Sequence, residues 1–211
     1  MKPVHVVLCA IACAAPALAA TPAPNQCTVD HVIISSWNEV PANNGLAPCA
    51  VGTAGFDVAV RDVNGTPVPG VQVKIVFGGT GSGIRPYQDL GPGPVLAHCS
   101  DESITVSATD PQGRARFVPH FGRWSETAAI PVFAAGVQIA LIEARSPDYD
   151  ADGEVDLSDL TTFSGDYLDT HAYHARSDFD DCPGTSLGDL VFFVGQYLSS
   201  TGAAAPRPVC N

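Results

Sequence analysis

Residues 148–159 read Asp148-Tyr149-Asp150-Ala151-Asp152-Gly153-Glu154-Val155-Asp156-Leu157-Ser158-Asp159, which puts acids at the first, third, fifth, ninth and twelfth places. Alternate side chains of a tightly turning loop point inward, so this spacing gathers carboxylate oxygens around one point. A hard divalent cation suits such a set, since calcium takes roughly six to eight oxygens. Gly153 permits the sharp turn, and Glu154 in the seventh place offers its backbone carbonyl. Val155 in the eighth place is expected to pair with a partner loop and to carry an apolar contact. An acidic run of this kind also occurs as a plain surface loop, so its repetition matters.

The run does repeat, thirty residues on. Asp148, Asp150, Leu157, Asp159, Leu160, Phe163 and Tyr167 find counterparts in Asp178, Asp180, Leu187, Asp189, Leu190, Phe193 and Tyr197. Leu160, Phe163 and Tyr167 fall at i, i+3, i+7, one apolar stripe along a helix, and Leu190, Phe193 and Tyr197 repeat it. Two helices this short do not hold alone. They are expected to bury their stripes against each other. The second loop departs at Cys182, Pro183, Gly184 and Ser186, its fifth, sixth, seventh and ninth places. Cysteine supplies no hard oxygen, and proline cannot take a positive φ. A second, weaker site on Asp178, Asp180 and Asp189 then requires Gly184 to do the turning.

The first loop resembles an EF-hand calcium loop. A loop followed by a single helix, twice, with Asp as the last ligand, resembles the dockerin family over Asp148 to Leu198. The resemblance implies Ca2+ held by the side chains of Asp148, Asp150, Asp152, Asp156 and Asp159 and by the carbonyl of Glu154. It also implies protein–protein assembly, with the helices docking on a cohesin-like domain or another extracellular protein. Leu157-Ser158 and Leu187-Gly188 stand where the best-known type carries Ser-Thr, so an apolar contact replaces a polar one. A calcium clasp with a purely intramolecular role is the other reading of these residues.

The charge map points the same way. Of a net charge of -12, residues 146–200 carry twelve Asp/Glu against Arg176 alone, a net of -11. A charge so placed argues against nucleic acid or anionic lipid as a partner. Carboxylates crowded into a folded segment repel one another unless a cation holds them.

The elements that must position this module are strands. Period-two alternation runs through Phe56–Arg61, Val71–Phe77, Ile104–Ala108, Arg114–Val118, Ala128–Val132 and Val137–Ala144, with turns at Asn64-Gly65 and Asp110-Pro111-Gln112-Gly113. The expected fold is mainly β: an antiparallel β-sandwich over 25–145, then a small α-helical module of two loop–helix repeats over 146–200 and a tail at 201–211. The stretches Val58 to Val73 and Ala108 to Ala115 resemble bacterial immunoglobulin-like domains of the invasin/intimin type and carboxypeptidase-regulatory-like modules. That resemblance implies an Ig-like spacer or adhesion stalk without catalytic residues.

Residues 1–20 read as an export signal: Lys2, then an apolar run, then Ala17-Leu18-Ala19. The protein is therefore expected to be secreted, in the extracellular space or periplasm or at the cell surface, with no membrane span. A lipid-anchored Cys13 is the alternative. An oxidising compartment favours disulfides, and the simplest pairing joins Cys27 to Cys49 or Cys99, and Cys182 to Cys210, leaving one thiol. The Gly78–Gly83 loop lacks the Lys-Ser/Thr of a phosphate cradle. His98, His120, Asp101 and Glu102 suggest an acid–base site only if the fold gathers them, and His171 with His174 lack a third metal ligand. The function expected is thus non-catalytic, not an enzyme. The alternative is an accessory role in polysaccharide degradation, through sugar stacking on Trp37 or Trp124 or, as a hydrolase, through a carboxylate pair.

Overall fold

The computed structural model describes residues 20–36, 56–88, 95–106, 108–169, 171–180, 182, 184–202 and 206–210. Residues 1–19 of the expected export signal, Trp37, Cys49 and Pro183 lie outside the described residues. The fold is mainly β. Its strands are β1 (Thr28–Val29), β2 (Val32–Ile34), β3 (Phe56–Ala59), β4 (Val73–Val76), β5 (Arg85–Pro86) and β6 (Val95–His98). They continue with β7 (Ser103–Val106), β8 (Arg114–Phe117), β9 (Phe121–Gly122), β10 (Ser125–Ala134) and β11 (Val137–Arg145). Two helices follow, α1 (Leu157–Leu168) and α2 (Leu187–Thr201).

Alternation does what it should: in β3 and β4 every second residue is buried. The strands form a six-stranded sheet in the order β2-β11-β10-β4-β7-β6, a three-stranded sheet β1-β3-β8 and a small β5-β9 pair. Phe56, Val58 and Ala115 of the smaller sheet share one core with Ile75, Ile104, Ile130 and Val132 of the larger. Each of the Phe, Val and Ile side chains contributes about 1.5–3 kcal/mol when fully buried. Both expected turns form, with Gly65 and Gly113 at positive φ and the Asp62 and Asp110 carboxylates accepting N–H groups from the residues that follow them.

One pairing departs from the antiparallel expectation. β2 runs parallel to β11, with Ile33 opposite Ala144. Alternation places a strand's faces but not its direction, and these partners are far apart in sequence. β11 then leads directly into the acidic loop at Asp148, so the larger sheet anchors that loop at its base.

Both helices begin on a capping box. Asp156 caps α1 with Asp159 reaching back, and Ser186 caps α2 with Asp189 reaching back. The stripes meet as expected: the Phe163 and Phe193 rings stack with centroids 4.6 Å apart. They do not bury only against each other, however. Tyr87, Ile34, Trp124 and Val209 join Tyr149, Phe163, Phe179, Phe192 and Phe193 in a second core. Two short helices present too little apolar area to close a core unaided, and the β unit and the tail supply the rest.

The disulfide expectation is corrected. Cys210 pairs with Cys99, not Cys182, and Cys27 is a free thiol that accepts the Arg61 N–H at 3.4 Å. Cys182 is disulfide-bonded, though not to Cys210. The tail runs back across the β unit instead of closing over the second loop: Val209 bridges Tyr87, and Gln88 and Cys210 donate their N–H groups to Pro208 and Pro86. Among the described residues no helix is long and apolar enough to cross a membrane.

Candidate metal centre

In the first loop, Asp148, Asp150 and Asp152 each bring a carboxylate oxygen within 4.8 Å of the others. The backbone turns through positive φ at Ala151 and Gly153 to do so. Asp148 is the fixed member. Its Oδ1 accepts the Ala151 N–H at 2.7 Å, and its Oδ2 accepts the Gly153 N–H at 3.1 Å and the Tyr87 hydroxyl. Asp150 accepts from Ser158 Oγ, and Asp152 from the Glu154 N–H, while both stay exposed. Asp159 is buried and takes the Tyr149 N–H at 2.7 Å on one oxygen and the Asp156 N–H at 2.9 Å on the other. Asp156 spends one oxygen on the Ser158 N–H. Asp148 Oδ2 is thus filled by two donors, while Asp148 Oδ1 and both Asp159 oxygens each keep a second lone pair for a further partner.

The electrostatics show how uneasy this cluster is without positive charge. Burial pushes the Asp148 carboxyl up to about 7, helped by the Asp159 charge and opposed by the Tyr87 hydroxyl and the loop N–H groups. Burial likewise carries Asp159 to about 7, with Asp150 and Asp156 adding repulsion. Asp152 is raised by burial and by the Asp150 and Asp156 charges. Among the described residues no basic side chain pairs with any of these five. Arg176, the one base of the segment, lies bidentate on Asp166 at 2.6 and 2.7 Å and covers the Trp124 ring at 5.2 Å.

The second loop repeats the plan with different partners. Asp178, Asp180 and Asp189 converge within 4.8 Å, all three buried. Gly184 takes φ +97°, so the turn has moved one place from where Gly153 makes it in the first loop. Asp189 accepts the Phe179, Asp180 and Ser186 N–H groups, echoing Asp159 thirty residues earlier. Asp178 accepts the Tyr173 hydroxyl at 2.7 Å on Oδ2, and its Oδ1 is buried without a hydrogen bond. Arg145, at the end of β11, donates to the Asp178 carbonyl and lies 3.7 Å from Oδ1. Burial pushes the Asp178 carboxyl up to about 6 even so, and raises Asp189 as well. A donor set made only of hard oxygens, with one buried oxygen left over, fits a calcium-sized cation better than a soft metal.

The remaining candidates disperse. His98 faces Thr105, His120 meets Arg207, and Asp101 pairs with Lys74, so no acid–base group is gathered from them. His174 leans on Asp166 and Asp169, while the His171 N–H donates to Asp169. Val155 is buried as expected, but its N–H donates to Ser200 Oγ and not to a partner loop. Residue spacing carries no sign of Tyr87, Tyr173 or Arg145, since each reaches its Asp from outside the twelve-residue frame.

Compared with models of known protein families, with curated proteins and with solved structures, the chain matches none. What can be said of its chemistry rests on this geometry alone.

Proposed function

We propose that the chain is a secreted, non-catalytic assembly protein: a dockerin-like, calcium-stabilised loop–helix pair carried on an Ig-like β-sandwich that serves as a spacer. One observation carries the reading. Two carboxylate clusters, each at the start of a helix and thirty residues apart, gather more negative charge than nearby bases offset. Ca2+ in the first loop would be held by Asp148, Asp150, Asp152, Asp156 and Asp159 and the Glu154 carbonyl. Asp178, Asp180 and Asp189 would hold a weaker second ion. The ion's role is structural, joining loop to helix.

The partner surface follows from what the helices leave outside. Leu187, Val191, Val194 and Leu198 lie at i, i+4, i+7, i+11 along α2 and are 66, 41, 40 and 64 % exposed. Leu157 and Leu168 repeat the first and last of these on α1. An exposed apolar stripe free of charge marks a protein–protein face. A cohesin-like domain, or another extracellular protein with an apolar sheet face, is the proposed occupant. Calorimetric titration tests the first half: no calcium uptake at saturation sinks the reading. Leu187→Asp with Leu198→Asp should abolish capture by an immobilised cohesin-like domain while leaving the melting temperature within about 2 °C.

A second reading has one observation in its favour. Ser82, Arg123, Trp124, Tyr149 and Asp150 line a cleft of about 420 Å³. Aromatic rings beside charged groups suit a sugar, which would make the protein an accessory of polysaccharide degradation. Retardation in polysaccharide affinity gels, abolished by Trp124→Ala, would favour it.

A further inference from the structure

The first acidic loop is not self-contained. Tyr87, just past β5, is wholly buried, and its hydroxyl donates to Asp148 Oδ2. Its own backbone is fixed twice, by its N–H on the His120 carbonyl at 3.0 Å and by its bridge to Val209 of the disulfide-tethered tail. β9 closes the other side. A side chain on Gly122 would sit 2.6 Å from the Ala151 Cα and 2.9 Å from Asp148 Oδ2, and the Arg123 N–H donates to the Asp148 carbonyl at 2.8 Å. The tail touches the loop as well, with the Arg207 N–H on the Gly153 carbonyl at 2.9 Å. Asp148 is thus oriented by two N–H groups of its own loop and by a phenol from sixty-one residues upstream.

We infer that Tyr87 is a positioning residue for the first-loop cation, so that the β unit sets the metal affinity of the helical module. The inference rests on the calcium reading above. A carboxylate that must present one oxygen to an ion binds it best when its other lone pairs already fix its rotamer, and losing such a partner typically weakens metal binding about 10–100-fold. The second loop offers an internal comparison. There Tyr173 fills the same role on Asp178 from within the module, and it stands 56 % exposed, where water can replace it.

The test is calcium titration of the full chain by calorimetry, at a temperature where far-ultraviolet circular dichroism shows wild type and variants folded. Tyr87→Phe should weaken the tight site about 10–100-fold with the number of ions unchanged. Val106→Ala, which loosens the β core away from Asp148, should leave that affinity within about twofold, because it removes stability but no partner of the carboxylate. Equal weakening in both variants would reduce Tyr87 to a stability residue and overturn the inference, as would a Tyr87→Phe affinity within about twofold of wild type. Should Tyr87→Phe not fold, wild-type protein carrying carbon-13 at tyrosine Cζ decides. Calcium must shift the Tyr87 resonance, and an unmoved resonance at saturation overturns the inference. If wild type itself takes up no calcium, the functional reading falls and takes this inference with it. If wild type binds and Tyr87→Phe binds equally, only the inference falls.

Discussion

Removing divalent ions and then changing pH should invert the pH dependence of stability. With a chelator present, Asp148 and Asp159 have carboxyls at about 7 in the folded chain. In the unfolded chain both lie near their ordinary value of 3.8. For an acid raised on folding, the folded state keeps a proton that the unfolded state has already released. Stability is therefore full below the unfolded value and is lost as pH rises through the folded one. Each such group contributes a slope of up to about 1.4 kcal/mol per pH unit inside that window. The two carboxyls repel each other and share a small space, so they do not titrate independently, and one effective group is the safer count. From about pH 5 to about pH 7 that amounts to roughly 3 kcal/mol, or about 6–12 °C in melting temperature for a chain of this size. Calcium reverses the sign. It binds only the ionised carboxylates, so in excess calcium the melting temperature should climb over the same range. The assay is a set of thermal melts followed by helical circular dichroism, in chelator and in calcium, at four pH values. Parallel curves in the two buffers, or a flat curve in chelator, would refute the argument that these acids are crowded and that calcium relieves them.

Three more outcomes are expected. Asp148→Ala with Asp152→Ala should mimic chelation, lowering helical signal and melting temperature, and the variant should show no further response to chelator. Cys210→Ser opens a tether between residues 111 apart in sequence. The chain-entropy cost is up to about 4.7 kcal/mol, read from denaturant midpoints, and less to the extent that the backbone bonds of the tail hold. Arg176→Met strips the bidentate partner from Asp166, which is only 4 % exposed; it should destabilise by about 2–4 kcal/mol in a denaturant melt, and a second change, Asp166→Asn, should recover part of the loss.

The part of this fold that was legible in the sequence is the part governed by short-range period. Alternation places β3, β4, β7, β8, β10 and β11, most plainly β3 and β4, where every second side chain is buried, although β7 is buried on both faces. The stripe Leu160, Phe163, Tyr167 and its repeat place both helices, and carboxylate spacing places Asp148 with Asp150 and Asp152. What escaped is long-range. β2 is three residues long and has no period to detect, and its parallel register on β11 depends on packing. Several cysteine pairings were open, and the choice of Cys99 for Cys210 follows from where the tail lies, beside Tyr87 and Pro86. The partners of the acidic loops were out of reach for the same reason. Tyr87 and Arg145 come from the β unit, and Ser200 from the far end of α2.

The two loops answer one electrostatic difficulty differently, and the difference lies in what the β unit places beside each. A buried trio of carboxylates costs several kcal/mol per charge unless paired. In the second loop the β unit reaches in with Arg145, itself only 4 % exposed along its side chain, and a tyrosine hydroxyl covers one oxygen of Asp178. That internal cation lowers the need for an external one and repels any ion that enters, so the loop tolerates Cys182 where the first loop has Asp152. In the first loop the β unit reaches in with Tyr87, a donor without charge, and Arg176 is already committed to Asp166. Hydrogen bonds can aim Asp148 there, but they cannot neutralise it along with Asp150, Asp152, Asp156 and Asp159. The loop with its full set of acids is the one in which, among the described residues, no base forms an ion pair with them, and it is the one proposed to hold calcium more tightly.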